Sequence, residues 1–302
     1  MRVLSKSVVY FTVAVACGTC GAARADVFTY TYYPSDGVID TAVPTDFAVI
    51  GYSGGRYNED TLAREFTGAS SPTVQFADGA VIASAEIFNH SVVNATGGAW
   101  TADLYDHSTL NVLGGVNGIG QSALGFESSV INVHGGRMGY IGGQGAAVNV
   151  YGGAVGTLEA NSRTTFMGDN LGSCIAEVYG GLFEAGGNLS ALNDGVLNLR
   201  GGTIQSDFVR AAEGGTLNIY GTNLTATLLD GRGANGYSIY KLSGLLADGS
   251  SIDGLEMLIR NDGVTYGHST FNLIEVPAPA AGGLLVAAGL FASRRRRGGP
   301  GR

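Results

Sequence analysis

The side chains in this chain that could do chemistry recur at a nearly constant spacing. An asparagine stands at the centre of a short phrase that returns seven times between residues 91 and 222, and Glu177 takes its place once. The asparagines of this column are Asn94, Asn111, Asn132, Asn149, Asn198 and Asn218. Asparagine is a poor strand former, so propensity does not explain the column. Amides stacked on neighbouring strands can hydrogen-bond to one another, which predicts a structural asparagine ladder. The alternative is a polar face that binds sugar.

Three tyrosines follow the same column by two residues. Tyr151, Tyr179 and Tyr220 should lie on the same strand face as the asparagines, because side chains alternate along a strand. Exposed aromatic rings in a row can bind sugars, since one face of a pyranose is apolar. Stacking between rings of neighbouring strands explains the same residues. These three tyrosines are therefore a candidate ligand face.

Metal and catalytic chemistry have weaker support in the sequence. His90 and His107 occupy the same position in neighbouring repeats, beside Asn89 and Asp106. A metal site needs ligands that converge on one point, and solvated turn residues explain this group. No pair of aspartates recurs in register, and phosphate-binding, dinucleotide and nucleophile-elbow motifs are missing from the sequence. We expect no catalytic residue, no metal and no cofactor. A polysaccharide lyase or hydrolase is the alternative, on fold analogy alone.

The period of the phrase predicts the elements that must position these residues. The first glycines of successive phrases are separated by 17, 21, 17, 28, 21 and 20 residues, which is the period of a solenoid. Apolar residues alternate with polar ones inside each phrase, and each repeat offers about three short inward strands separated by turns. We therefore predict an all-β, single-domain parallel β-helix, right-handed, with about 20 residues per coil.

The phrase covers only part of the chain, and this divides the chain into segments. Residues 26–72 do not fit the phrase, and we predict an N-terminal cap there because an open solenoid end exposes an unpaired strand edge. We assign residues 73–276 to the β-helix, with capping coils from about residue 223. The interval of 28 residues carries an insertion at residues 161–171, which is either a surface loop or the lip of a binding groove. Poorly covered ends would allow two copies to associate end to end.

The N-terminus has the pattern of a secretory signal peptide over residues 1–25. Arg2 and Lys6 precede an apolar segment, and Ala23 and Ala25 form a small-residue cleavage site before Asp26. This pattern predicts recognition by the secretion machinery. A lipoprotein signal ending at Cys17 is the alternative. Such signals usually have a leucine three residues before the cysteine, and this chain has Ala14 there.

The C-terminal segment, residues 277–302, combines a proline motif, an apolar stretch and an arginine cluster. The motif residues are Val276, Pro277, Ala278 and Pro279, and the cluster is Arg294, Arg295, Arg296 and Arg297. The apolar stretch at residues 280–293 has 14 residues, which is shorter than the length of about 20 that a stable membrane helix needs. Arginines beyond it would hold that end in the cytoplasm.

This tail resembles the PEP-CTERM sorting signal of exported bacterial proteins, in its Pro-Ala-Pro variant. The resemblance implies a transmembrane helix that anchors the protein to the inner membrane in transit. It also implies an exosortase-type protease that recognises the motif and passes the protein to the cell surface or matrix. Ala278 departs from the family pattern, which has glutamate there. The body at residues 85–225, with its phrase Asn-Val-Tyr-Gly-Gly, resembles the glycine-rich solenoid repeats of autotransporter passengers.

Charge restricts the partners of the exported part. Residues 1–25 and 277–302 contain eight of the 17 basic residues and none of the 25 acidic ones, so residues 26–276 carry a formal charge near −16. Such a surface will not bind nucleic acid through a basic field. We expect an exported, non-catalytic structural or adhesion protein of the cell surface or extracellular matrix. The alternative is a carbohydrate-active β-helix that binds or cleaves extracellular polysaccharide.

Overall fold

A computed structural model describes residues 28–58, 63–115, 121–162, 172–231, 236–260 and 268–277. Within these residues the chain is all β: the structure has strands and turns and no helix. Most strands pair in parallel with the equivalent strand one coil away, which confirms the predicted β-helix. Each coil carries strands in three rows, here called rows A, B and C.

Row A holds the repeated phrase. Its strands are β2 (Gly37–Ile39), β6 (Thr73–Phe76), β8 (Val92–Ala95), β10 (Thr109–Val112), β12 (Val130–Val133), β14 (Ala147–Val150), β16 (Ile175–Val178), β19 (Val196–Leu199), the first residues of β22 (Thr216–Asp230) and β25 (Thr270–Glu275). Equivalent phrase residues pair directly, as Asn111 does with Asn94 and with Asn132. The apolar residues on either side of each asparagine are fully buried, because alternation turns them into the core.

Rows B and C complete each coil. Row B contains the first residues of β7 (Val81–Ile87), β9 (Ala99–Leu104), β13 (Arg137–Gln144) and β15 (Ala154–Asn161), followed by β17 (Leu182–Phe183) and β20 (Thr203–Ile204). Row C contains β1 (Tyr30–Tyr33), β3 (Phe47–Ile50), the last residues of those four long strands, β11 (Ser122–Phe126), β18 (Asn188–Leu192), β21 (Phe208–Ala212) and β24 (Ser251–Arg260). The long strand β15 pairs with both β17 and β18, so one strand in an early coil corresponds to two in a later coil.

The two glycines of the phrase have different structural roles. The second glycine has a positive φ in each complete phrase, for example +78° at Gly136 and +101° at Gly181, which turns the chain from row A into row B. The first glycine passes close to the preceding coil. A Cβ on Gly135 would lie 2.8 Å from the carbonyl oxygen of Leu113, so a side chain there would push neighbouring coils apart. The Gly-Gly pair is therefore required by both conformation and space.

The solenoid begins earlier than the sequence predicted. β1 pairs in parallel with β3, β3 with β7, and β2 with β6, so the coils start at Tyr30 and not at Thr73. The first coils lack the asparagine-glycine phrase, and for this reason the repeat pattern did not reveal them. Within the described residues 28–58 and 63–72, β4 (Gly54–Asn58) and β5 (Ala63–Thr67) pair with each other as an antiparallel hairpin outside the parallel stack. Its Phe66 joins an aromatic cluster with Tyr52 and Phe88.

Near Gly221 the pairing changes from parallel to antiparallel. β22 leaves row A after Gly221 and pairs with β23 (Tyr237–Leu246), which pairs with β24. β24 returns to row C beside β21, and β25 adds the last strand of row A beside β22. Val276 continues from β25 by donating its N–H to the carbonyl of Gly221 at 2.8 Å.

Candidate functional site

The asparagine column lies on the outward face of row A and forms a hydrogen-bonded ladder. In each step the Nδ2 of one asparagine donates to the Oδ1 of the asparagine in the preceding coil. The steps are Asn111 to Asn94 at 2.9 Å, Asn132 to Asn111 at 2.9 Å, Asn149 to Asn132 at 3.0 Å and Asn218 to Asn198 at 2.8 Å. The donors all point toward the N-terminal end, so the interior amides Asn111 and Asn132 each accept from the following coil and donate to the preceding one.

The run of amide-to-amide hydrogen bonds stops at Glu177. It pairs in register with Asn149 on one side and Asn198 on the other. Its Oε1 accepts from Asn198 Nδ2 at 2.7 Å, and its Oε2 accepts from Arg200 Nε at 2.9 Å. An ionised carboxylate can only accept, so it cannot donate to Asn149 Oδ1 as an asparagine would. The ladder therefore consists of two runs that meet at Glu177.

The ladder is longer than the sequence analysis predicted. Asn272 in β25 donates to Asn218 Oδ1 at 2.8 Å, although 54 residues separate the two in sequence. At the other end, Gln75 pairs in register with Asn94 and donates to Thr96 Oγ1 at 3.2 Å. Neither residue stands in a complete phrase, because no Gly-Gly follows. The alternation around each of them, Val74 and Phe76 or Phe271 and Leu273, was the available signal.

The candidate tyrosines lie beside the ladder in a second outward column. Tyr151 stacks on His134 with ring centroids 4.8 Å apart and on Tyr179 at 5.2 Å, with interplanar angles of 6° and 4°. Further along, the Arg200 guanidinium lies over the ring of Tyr220, 3.7 Å from its centroid. The side chains of Tyr151 and Tyr179 are 47% and 43% exposed. The rings thus follow the coils one after another, as cross-strand stacking predicts.

This stacking changes what the tyrosines can bind. Both faces of the Tyr151 ring are covered, one by His134 and the other by Tyr179. The hypothesis that a sugar ring lies flat on Tyr151 is therefore ruled out, because both apolar faces of the tyrosine ring are already in contact with other rings. The exposed part of the column is the ring edges. A ligand would therefore meet phenol hydroxyls and not aromatic faces.

The second outward column is here called the ring column and comprises His134, Tyr151, Tyr179, Arg200 and Tyr220. Arg200 links the ladder to this column. Burial lowers the pKa of its guanidinium, but the hydrogen bond and negative charge of Glu177 outweigh this effect and leave the pKa above its usual value. Arg200 and Glu177 form an ion pair at 2.9 Å. The pair leaves no net charge at this point of the face.

The third outward column of row A is formed mainly by β-branched residues. It comprises Thr73, Val92, Thr109, Val130, Ala147, Ile175, Val196, Thr216 and Thr270. Ile175 is 47% exposed, as is Leu113, which lies one coil before the first residue of the ring column. The three columns together form a face, here called the row A face, whose charged side chains from β6 to β25 are Glu177 and Arg200. This face is nearly neutral, whereas residues 26–276 together carry a formal charge near −16.

Row C contains a pair of acidic residues in neighbouring coils that the repeat pattern did not predict to be neighbours. Glu86 and Asp103 stand in register on β7 and β9, and Glu86 is only 4% exposed. A register shift between Ile82 and Ala85 in β7 hides this pairing from the repeat pattern. Both acids make further interactions within the protein. Nearby, the pKa of the Tyr32 hydroxyl is raised to about 12. Burial is the largest cause, and the charges of Tyr30 and Glu86 contribute.

A second polar group in row C is centred on Glu159. Its carboxylate accepts from the Tyr140 hydroxyl at 2.8 Å and lies 3.5 Å from Arg210 Nη2. Arg210 Nε also donates to Ser190 Oγ at 2.9 Å. Burial and the hydrogen bond to Glu159 raise the pKa of the Tyr140 hydroxyl. Each group in the cluster is thus matched to a partner of its own.

The histidines singled out in the sequence stand one coil apart. His90 and His107 stack with ring centroids 5.0 Å apart and an interplanar angle of 8°. Asp106 beside them accepts the backbone N–H of Asn89 at 2.9 Å, so its carboxylate caps the turn. Across the described residues, no group of three or more His, Cys, Asp or Glu side chains could hold a metal ion.

The remaining predicted sites lie partly or wholly outside the described residues. The signal cleavage residues Ala23, Ala25 and Asp26 lie outside them, as do Ala278, Pro279, the apolar stretch and Arg294, Arg295, Arg296 and Arg297. Pro277 is described and exposed. Of the insertion, only Asn161 and Ser162 are described. Helices that could span a membrane are not found in the described ranges.

Comparison of the chain with protein-family models, with curated proteins and with solved structures gives no match. The chemistry of the row A face therefore has to be inferred from its own contacts.

Proposed function

We propose that this chain is an exported, non-catalytic structural or adhesion protein of the cell surface or extracellular matrix. The observation that supports this most strongly is the ladder on the row A face. Its amides bond to one another from coil to coil, and the neighbouring rings stack on one another in the same direction. Such columns tie successive coils together and favour a rigid, extended scaffold.

Two carboxylates of the outward polar groups are engaged in hydrogen bonds and ion pairs, which favours this function over catalysis. Glu177, the acid at the centre of the row A face, is held by Asn198 and Arg200, and Glu159 is held by Tyr140 and Arg210. A general base must be free to take a proton from a substrate. A direct test is incubation of the full-length protein with polysaccharides and measurement of newly formed reducing or unsaturated ends. Turnover that Glu159→Gln or Glu177→Gln abolishes would replace the scaffold function with the catalytic alternative.

The proposed route to the surface rests on the two ends of the sequence. The signal peptide pattern at residues 1–25 supports export, and the proline motif with its apolar stretch and arginine cluster supports sorting by an exosortase-type protease. The inner membrane would hold the protein only in transit, through the apolar stretch.

This route can be tested in a bacterium that has an exosortase-type protease. The full-length chain should appear at the surface or in the medium with an intact mass that lacks both terminal segments. In a strain without the protease, the same chain should stay with the inner membrane and keep the tail. A variant in which all four arginines from Arg294 to Arg297 are replaced by alanine should behave in the first strain as the parent does in the second. Equal processing in both strains would contradict the proposal.

A further inference from the structure

The ring column offers hydrogen-bonding groups at the spacing of the coils. His134, Tyr151, Tyr179, Arg200 and Tyr220 follow one another in consecutive coils, and the measured ring separations are 4.8 and 5.2 Å. The stacking covers ring faces and leaves ring edges exposed. A ligand on this column would therefore be held by groups that repeat about every 5 Å along the solenoid axis.

The ladder beside the column has hydrogen-bonding capacity left over. A side-chain amide has two N–H donors and an oxygen with two lone pairs. One donor and one lone pair of Asn132 are used in the ladder, by Asn111 and Asn149. The second N–H and the second lone pair of such an amide remain for water or for a ligand. Three coils thus present an amide next to a ring edge: Asn132 with His134, Asn149 with Tyr151 and Asn218 with Tyr220.

Charge selects the class of ligand. On the row A face the charges of Glu177 and Arg200 cancel in their ion pair. The exported chain as a whole carries a formal charge near −16, which repels polyanions. A neutral molecule with many hydroxyl groups fits the face better than an acidic polymer.

We propose that the row A face binds an extended, neutral, β-linked polysaccharide whose chain lies parallel to the solenoid axis, with one sugar ring per coil. One ring in such a chain advances by about the distance between two coils, so hydroxyl groups of successive sugars meet phenol hydroxyls and amides of successive coils. Binding is by hydrogen bonds to the phenol hydroxyls at the ring edges, because the ring faces are stacked on one another. This activity goes beyond the scaffold function, which does not depend on it.

The stacking geometry permits a sharp test with Tyr151→Phe and Tyr179→Phe combined in the full-length protein. Phenylalanine keeps the ring and its stacking but removes the hydroxyl. The probes are linear β-1,4-linked glucose and N-acetylglucosamine hexamers, measured by calorimetry. The double variant should bind at least one of them about tenfold more weakly than the parent, with an unchanged urea midpoint. Tyr237→Phe, which removes a hydroxyl on β23 away from this face, should bind as the parent does.

A length series tests the alignment along the axis. Affinity should rise as the oligomer grows from two to about five sugars, the number of groups in the ring column, and then level off. Failure of the parent to bind either hexamer would overturn the proposal, as would equal binding by the double Phe variant. Self-association of the protein that the double Phe variant weakens, without sugar binding, would assign the face to a second copy and also overturn it. None of these outcomes affects the sorting test, so the two proposals fail separately.

Discussion

The two runs of the asparagine ladder use the same fold but solve the hydrogen-bonding problem differently. In the run from Asn94 to Asn149, the interior side chains Asn111 and Asn132 both donate and accept, so each passes the same pattern to the next coil. In the run that starts at Glu177, the first side chain only accepts and needs Arg200 to balance its charge. A repeated amide therefore continues a ladder, whereas a carboxylate starts a new one.

The junction between the runs coincides with the longest interval between phrases. Asn149 and Glu177 pair in register, yet the chain between them carries the insertion at residues 161–171. Cys174 directly precedes β16 at this junction, and its side chain is fully buried. The sequence therefore departs from the repeat in two ways at one place: in the length of the coil and in the chemistry of the ladder.

The largest expected effect is on the reactivity of Cys174. Burial raises the pKa of its thiol from 9.0 to about 12, with a small opposing effect of a backbone hydrogen bond from Asn161. Alkylation of Cys174 at pH 8, followed by peptide mapping, should be at least about 100-fold slower in the folded protein than in urea. The ladder is interrupted at the junction, so we expect the opening free energy obtained from labelling to be smaller than the free energy of global unfolding. Equal values would remove the distinction between junction and runs.

The same thiol predicts a pH dependence of stability. Its pKa is higher in the folded than in the unfolded state, so its contribution is constant below about pH 9 and stability falls as the pH rises toward 12. Cys174→Ala should remove this part of the alkaline decline. An identical decline in parent and variant would show that the thiol remains accessible to solvent.

Removal of the acid at the start of the second run should have the next largest effect. Glu177→Ala leaves the Arg200 guanidinium and the Asn198 amide without their acceptor, and we expect a loss of about 2 kcal/mol in the free energy of unfolding. Glu177→Gln is the matched control, because a glutamine can accept from Asn198 and also donate to Asn149. It should lie within about 1 kcal/mol of the parent, since a partly exposed ion pair contributes little. Equal losses in the two variants would contradict the account of the junction.

A change inside the first run should cost more than the same change at the end of the second. Asn132→Ala removes one hydrogen bond to Asn111 and one from Asn149, with an expected loss of about 1.5 kcal/mol. Asn272→Ala removes one bond, at an exposed position, with a loss of about 0.5 kcal/mol. Urea unfolding of both variants measures the difference. Reversed losses would mean that ladder bonds do not determine stability on this face.

The smallest expected effect concerns the ring column that spans the junction. Tyr151→Ala removes the ring between His134 and Tyr179 and should cost about 1 kcal/mol in the free energy of unfolding. Tyr151→Phe keeps both stacking contacts and should cost nothing measurable. A loss for the Phe variant equal to that for Ala would show that the hydroxyl, and not the stacking, stabilises the column.

The recurrence of Asn, Gly-Gly and flanking apolar residues was sufficient to predict the parallel solenoid, the row A strands from β8 to β22 and the asparagine column. These features repeat locally, and a local pattern with a constant period is visible in the sequence without contacts. The first coils at β1 to β3 were missed because they use the same backbone pairing without the phrase. Asn272 was missed because the antiparallel strands β23 and β24 separate it from Asn218 in sequence.

The sequence by itself thus determined the fold class, the face on which the asparagines lie and the acidic charge of residues 26–276. Only the tertiary structure decided which atoms are left for a ligand. The direction of the ladder, its break at Glu177 and the closed faces of the Tyr151 ring depend on distances between coils that are 17 to 54 residues apart in sequence. Alternation along a strand specifies the side of the sheet on which a side chain lies, but contacts across coils determine whether its polar atoms are already bonded.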